Sequence, residues 1–166
     1  MALARGRRVQ VSEGPGRCHR WCPKDARLDY GLPLSNPLVL TPNPAEAGLL
    51  LRRDIGDLEE DLAWIAARFR AIVTCQGVVA AQTGQCWQVG TGQGGLGTSG
   101  SGDVLAGAIG GLLARGAEPE QAVCWGTYLH AAAGERLNAR IGPTGYLARE
   151  IASELPALLA ELGQRA

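Results

Sequence analysis

The pattern of apolar and polar positions separates a patternless start from an ordered remainder. From Pro37 onward, short apolar runs bounded by Pro or Gly alternate with segments of helical period. Leu38-Val39-Leu40-Thr41 is an apolar run of the kind buried in a parallel sheet. Thr41-Pro42-Asn43-Pro44 ends it, and Pro44 suits the first turn of a helix running to about Arg53. Leu58, Leu62, Ile65 and Phe69, at spacings of three and four, predict a second helix over 57–70. Strands are predicted over 71–75, 78–82 and 86–89, the last two joined by Thr83-Gly84-Gln85 as a hairpin turn. A helix over 102–115 follows, with Val104, Ala108 and Leu112 in one row and Leu105, Ile109 and Leu113 in the next. Nearly every position in it is apolar or small, so burial on most sides is expected, with Gly116 as its C-terminal stop. Helices over 119–138 and 146–162 complete the pattern, and Pro156 should kink or divide the last.

Residues 1–36 are rich in Arg, Gly and Pro, lack sustained periodicity, and read as an irregular or poorly ordered segment. Residues 37–166 form the ordered part. The whole chain of 166 residues is long enough for one domain with a real core, and its 46% hydrophobic content is ordinary for a globular protein. Sixteen basic and 16 acidic residues give a net charge of +0, so nothing points to a nucleic-acid or polyanion surface. The local exception spans residues 5–27, where Arg5, Arg7, Arg8, Arg17, Arg20, Lys24 and Arg27 face only Glu13 and Asp25. No apolar run approaches the roughly 20 residues of a membrane span, and the start lacks the apolar core of a secretory signal. A cytoplasmic location is the expectation. Cys18, His19 and Cys22 have the spacing of half a zinc site, but no second cluster supplies the remaining ligands. With Cys75, Cys86 and Cys124 the set is odd and scattered, which reads as reduced, mostly buried thiols and no metal.

Candidate chemistry concentrates between Gly90 and Asp103. Seven of the thirteen residues over 90–102 are glycine, and the run leads into the apolar helix. Glycines let the backbone approach a ligand closely, and a helix N-terminus adds unpaired N–H groups and a partial positive charge. Together they can hold an anion. The run is neither a Walker loop, since no Gly-Lys-Ser/Thr follows, nor a dinucleotide fingerprint. Asp103 is a possible base beside a bound phosphate, although an aspartate at a helix start also acts as a cap, contributing about 1 kcal/mol. Thr41-Pro42-Asn43-Pro44-Ala45-Glu46 stands at a strand end, where ligands gather in α/β sheets, and it also reads as an Asn43/Glu46 capping box. His130, among apolar neighbours, reads as a packed helix residue, and Trp64, Trp87 and Trp125 read as packing.

Four segments in order carry a resemblance: Thr41–Glu46, Val73-Thr74-Cys75-Gln76-Gly77, Gly97-Thr98-Ser99-Gly100-Ser101-Gly102-Asp103-Val104-Leu105-Ala106-Gly107, and Tyr128-Leu129-His130-Ala131-Ala132-Ala133-Gly134. Together they resemble the C-terminal part of the ADP/ATP-dependent NAD(P)H-hydrate dehydratases, a family of the ribokinase-like superfamily. The resemblance covers roughly Pro37 to Leu162. It implies a three-layer α/β/α fold with a mostly parallel sheet, here as an incomplete domain. It implies a lyase that repairs hydrated NADH or NADPH with ADP or ATP, accompanied by Mg2+. Asp103 would be the base and a contact to substrate. Gly100, Ser101 and Gly102 would offer N–H groups to the transferred phosphate, joined at the nucleotide by Thr98, Gln76 and Gly77. Asn43 matches a position near the substrate.

The chain departs from the family in three places. Gln76-Gly77 replaces the usual Lys-Gly, Gln93-Gly94 replaces an Asn-Pro and should loosen the loop, and residues 1–36 do not resemble the strands that precede the Thr-Pro-Asn motif. Three functions therefore stand side by side: the dehydratase, a nucleotide-binding fragment without turnover, and a small-molecule kinase of the same superfamily. An open sheet edge further suggests a homo-oligomer.

Overall fold

The computed structural model describes residues 11–13, 38–90 and 96–163. Five strands form one sheet: β1 (Val11–Glu13), β2 (Leu38–Leu40), β3 (Ala71–Cys75), β4 (Val78–Ala81) and β5 (Cys86–Val89), in the order β1-β5-β4-β3-β2. Five helices accompany them: α1 (Pro44–Leu51), α2 (Leu58–Phe69), α3 (Ser101–Ala114), α4 (Pro119–Ile141) and α5 (Ala148–Gly163). Residues 91–95, which include Gln93-Gly94, lie outside the described residues, as do Cys18, His19 and Cys22.

The sheet is mixed, which corrects the expectation of a mostly parallel one. Among the described residues only β2 and β3 pair in parallel, while β3–β4, β4–β5 and β1–β5 are antiparallel. Short connections impose the β3–β4 and β4–β5 pairings, because links this short cannot carry a crossover. Gln76 and Gly77 have φ of 48° and 82°, as the two-residue hairpin between β3 and β4 requires. Thr83-Gly84-Gln85 lies in the second connection, at the predicted place. Within the segment expected to be irregular, Val11–Glu13 pairs with β5, a strand too short to leave a periodic signal.

Strict alternation along β3 and β4 builds the layers. Val73, Cys75, Val78 and Ala80 face α1 and α2 with Ala47, Leu62, Ile65 and Ala66. Ile72, Val79 and Ala81 face the other way, with Ile109, Ala122 and Val123 of α3 and α4. The result is the expected α/β/α sandwich. Leu129, Leu137, Tyr146 and Ile151 pack α5 outside α4, and the buried Glu154 carboxylate meets Arg140 at 2.8 Å.

Three expectations change. Leu38–Leu40 is half-buried, because β2 is an edge strand among the described residues. Burial of α3 on most sides does not hold: Gly102, Asp103, Ala106, Gly107, Gly110 and Gly111 form an exposed face. Its small residues gave a uniform apolar pattern that carries no direction. Pro156 does not divide α5, since it lies on the solvent face, where the carbonyl it releases meets water.

Candidate functional site

Two reversals of direction bring β5 back parallel to β3, so the C-terminal ends of β2, β3 and β5 open on the same side. There they meet the N-terminus of α3 around a cleft of about 710 Å³. Asn43 reaches it from the β2–α1 turn, Gln76 and Gly77 from the β3–β4 hairpin, Ser101 and Gly102 from α3, and Thr127 and His130 from α4. No Lys, Arg, Asp or Glu is among the described lining residues. The described lining offers dipoles, hydroxyls and amides.

Local sequence fixes each of these groups. Asn43 caps α1 in a capping box: its Oδ1 accepts from the Glu46 N–H at 2.9 Å, and Glu46 Oε2 accepts from the Asn43 N–H at 2.9 Å. The cap uses the carbonyl end of the side chain, so what Asn43 offers the cleft is its NH2 group, a donor. Both readings of the Thr-Pro-Asn segment thus apply to one residue.

Unlike α1 and α2, α3 has no side-chain cap. Its N-cap is Gly100, whose φ of 85° is open to glycine at no steric cost. The Ser101 N–H is taken by the Thr98 carbonyl at 3.1 Å, and the Val104 N–H by the Gly100 carbonyl at 3.3 Å. Between them, the N–H groups of Gly102 and Asp103 have no acceptor within the helix and point along its positive end. The expectation that Gly100, Ser101 and Gly102 all present N–H groups therefore changes: the Ser101 N–H is taken by Thr98, and Gly100 is not in the cleft lining.

Two buried polar pairs line the cleft wall. Thr74 Oγ1 on β3 and Thr127 Oγ1 on α4 lie 2.9 Å apart. Ser101 Oγ lies 2.9 Å from His130 Nε2, which is also 3.0 Å from the Ser101 carbonyl oxygen. Burial lowers the His130 pKa below its ordinary value, opposed by the hydrogen bond to that carbonyl, so the ring is neutral near pH 7. Cys75 sits beside them with its thiol pushed up to about 11, by burial first and then by the nearby Glu46 charge. Cys75 is buried and Cys86 and Cys124 are half-buried, all three as thiols rather than disulfides.

The structure gathers Asn43, Gln76, Gly77, Ser101 and Gly102 at the cleft. Thr98 and Gly100 shape the turn before α3 and are not in the lining. Asp103 follows Gly102 directly, but its side chain is exposed and not among the lining residues. Sequence reasoning missed Thr74, Thr127 and the participation of His130. Thr127, His130, Ala131 and Gly134 repeat at three and four, so the face was readable, though not what it opposes. Among the described residues, no group of three or more His, Cys, Asp or Glu could hold a metal ion, and no helix is long and apolar enough to cross a membrane.

Comparison with known proteins identifies this arrangement. The family model described as NAD(P)H-hydrate dehydratase matches residues 30–157. The ADP-dependent (S)-NAD(P)H-hydrate dehydratase of Xanthomonas campestris pv. campestris is 44% identical over 137 residues, 78% of this chain and 47% of that protein. The crystal structure of the ADP/ATP-dependent NAD(P)H-hydrate dehydratase of Bacillus subtilis, co-crystallised with ATP/Mg2+ and soaked with CoA, superposes with a TM-score of 0.71 at 31% identity. That match covers 76% of this chain and 49% of the other. A ribokinase-like superfamily protein of Enterococcus faecalis gives a TM-score of 0.68 at 25% identity, over 81% of this chain and 48% of its own. The chain spans about half the length of these proteins. The ordered motifs, the three-layer fold and these matches together show that the chain belongs to the NAD(P)H-hydrate dehydratase family.

Proposed function

We propose that this chain carries the nucleotide-binding side of an ADP- or ATP-dependent NAD(P)H-hydrate dehydratase site. The observation that supports this most is the uncapped, glycine-started N-terminus of α3 opening on a cleft beside Gln76-Gly77. The adenine nucleotide lies along the β3–β4 hairpin, with its terminal phosphate at Gly102 and the Ser101 hydroxyl. Asn43 donates its amide N–H groups from the β2 side.

Asp103 takes the proton of the hydroxyl on the hydrated nicotinamide ring as that oxygen attacks the terminal phosphorus. The bond from phosphorus to the bridging oxygen breaks, and the nucleotide keeps that electron pair. Phosphate then leaves with the ring oxygen, and loss of a proton from the adjacent carbon restores the double bond. First-turn N–H groups stabilise the charge on the transferred group, which is where most of the rate enhancement in such chemistry comes from. Mg2+ binds through one or two carboxylates together with substrate phosphates; the described cleft lining has no carboxylate, and the neighbouring Asp103 is assigned to the proton. These residues do not build a resident metal site, and no step here runs through one.

The experiment is incubation of the full chain with hydrated NADH and ADP or ATP, following the return of NADH absorbance and the release of phosphate. Nucleotide-dependent return supports the dehydratase. The exposure of Asp103 outside the cleft lining favours a second reading, a nucleotide-binding chain without turnover. ADP binding by calorimetry with no NADH returned is its signature. A stable phosphorylated product instead identifies a small-molecule kinase.

A further inference from the structure

We infer that His130 is a positioning residue that turns the Ser101 hydroxyl into a hydrogen-bond donor aimed at an anion in the cleft. This rests on the nucleotide reading above and assigns His130 a part in it.

The geometry leaves one consistent arrangement of protons. His130 Nε2 is 3.0 Å from the Ser101 carbonyl oxygen, which can only accept. Nε2 therefore carries the proton, and Nδ1 of the neutral ring does not. The opposite tautomer would set a bare nitrogen lone pair against the carbonyl oxygen. Ser101 Oγ, 2.9 Å from the same Nε2, then accepts a share of that proton and cannot give its own to the imidazole. Its O–H must find another acceptor. The Ser101 N–H is already bound to the Thr98 carbonyl. Ser101 and His130 are both buried at the cleft wall, so the open direction for the hydroxyl is the cleft. There it joins the N–H group of Gly102. A phosphate oxygen meets a ready-oriented donor, which preserves affinity by removing the cost of ordering it.

A purely packed histidine would do none of this. It would fill the space between α3 and α4 with no demand on its tautomer or on Ser101. The two roles separate in a single set of measurements on the full chain. Nitrogen-15 NMR of the imidazole reports the tautomer directly, and Nε2–H is expected; Nδ1–H overturns the inference. Calorimetry then measures ADP affinity in the wild type and in Ser101→Ala, His130→Leu, His130→Gln and the Ser101→Ala/His130→Leu double variant.

Loss of one hydrogen bond to a charged group predicts roughly tenfold weaker binding in Ser101→Ala and in His130→Leu. The double variant should be no weaker than either, since both act through one donor. His130→Gln, which retains an N–H donor, should recover most of the affinity. Wild-type affinity in Ser101→Ala overturns the inference even if His130→Leu fails to fold, and additive losses in the folded double variant overturn it as well. A wild type that binds no ADP overturns the nucleotide reading itself, a result distinct from variants that bind as the wild type does.

Discussion

The Thr74–Thr127 pair ties the interior strand β3 to α4 at the wall of the cleft, and a double-mutant cycle isolates what it contributes. Thr74 is 1% exposed and Thr127 5%, with their hydroxyls 2.9 Å apart. Thr127→Val keeps the side-chain shape and branching but leaves the Thr74 hydroxyl buried without that partner. An unsatisfied buried hydroxyl costs about 1–3 kcal/mol, and Thr74→Val should cost a similar amount for the mirror reason. Removing both hydroxyls leaves no orphan, and two apolar methyls replace the pair. The double variant should therefore fall short of the summed single losses by roughly 1–2 kcal/mol. Urea unfolding followed by circular dichroism gives each value, provided the slopes agree among variants. For a chain of this size each kcal/mol moves Tm by roughly 2–4 °C, so thermal scans supply an independent check. Losses that add to within ~0.5 kcal/mol would show that the two hydroxyls do not depend on each other, and the reasoning would fail.

Other parts of the fold give equally definite expectations. Burial alone would raise the Asp61 pKa, but the Arg53 guanidinium and the Gly56 N–H outweigh it and hold the carboxyl below its ordinary value. A depressed folded pKa adds stability that is present above the unfolded value of about 4 and is lost as pH falls through the folded one. Asp61→Asn should thus flatten the acid limb of the stability curve while costing roughly 1–3 kcal/mol near pH 7; an unchanged acid limb in denaturant titrations would count against the pairing. Gly126→Ala places a Cβ 2.4 Å from Ile109 Cγ1 and 3.3 Å from the Ile109 backbone. The overpacking, about 1–3 kcal/mol, should exceed the ~1 kcal/mol gained in helix propensity. Ile109→Ala should then cost less in the Gly126→Ala chain than in the wild type, as equilibrium unfolding would show. The Cys75 thiol, at about 11, should alkylate with iodoacetamide at pH 8 far more slowly in the folded chain than in urea, as peptide mass spectrometry would reveal; equal rates would contradict its burial.

How much of this was legible in the sequence depended on what each signal was. The helices α2 and α4 and the strands β3 and β5 emerged near their observed places because their periodicity or their flanking turns were unambiguous. The Asn43 capping box was readable from two residues three apart, and it formed as expected. The mostly parallel sheet that the resemblance implied leaves out the hairpin at Gln76-Gly77, which was not read as a turn. A hairpin with two positive φ values usually announces itself by Asn-Gly or Asp-Gly, and glutamine hides that signal. The exposed face of α3 was illegible for another reason: Ala and Gly mark a helix without saying which side is covered. At the site, the glycine run led to the start of α3, which opens on the cleft through Ser101 and Gly102. The Ser101–His130 and Thr74–Thr127 pairs could not be read, since each joins residues 29 and 53 positions apart through tertiary packing alone.

Asp103 carries the chemical proposal, and its amide tests that proposal with the least change of shape. ADP-dependent return of NADH from its hydrate should be measured at saturating nucleotide for the wild type and Asp103→Asn, with ADP affinity determined in parallel. Loss of a general base predicts a rate roughly 10²–10⁴-fold lower in the variant, while ADP binding stays within a few-fold of the wild type. Equal rates in the two chains, or no return of NADH by a wild type saturated with ADP and ATP, would contradict the role of Asp103 and the dehydratase reading built on it.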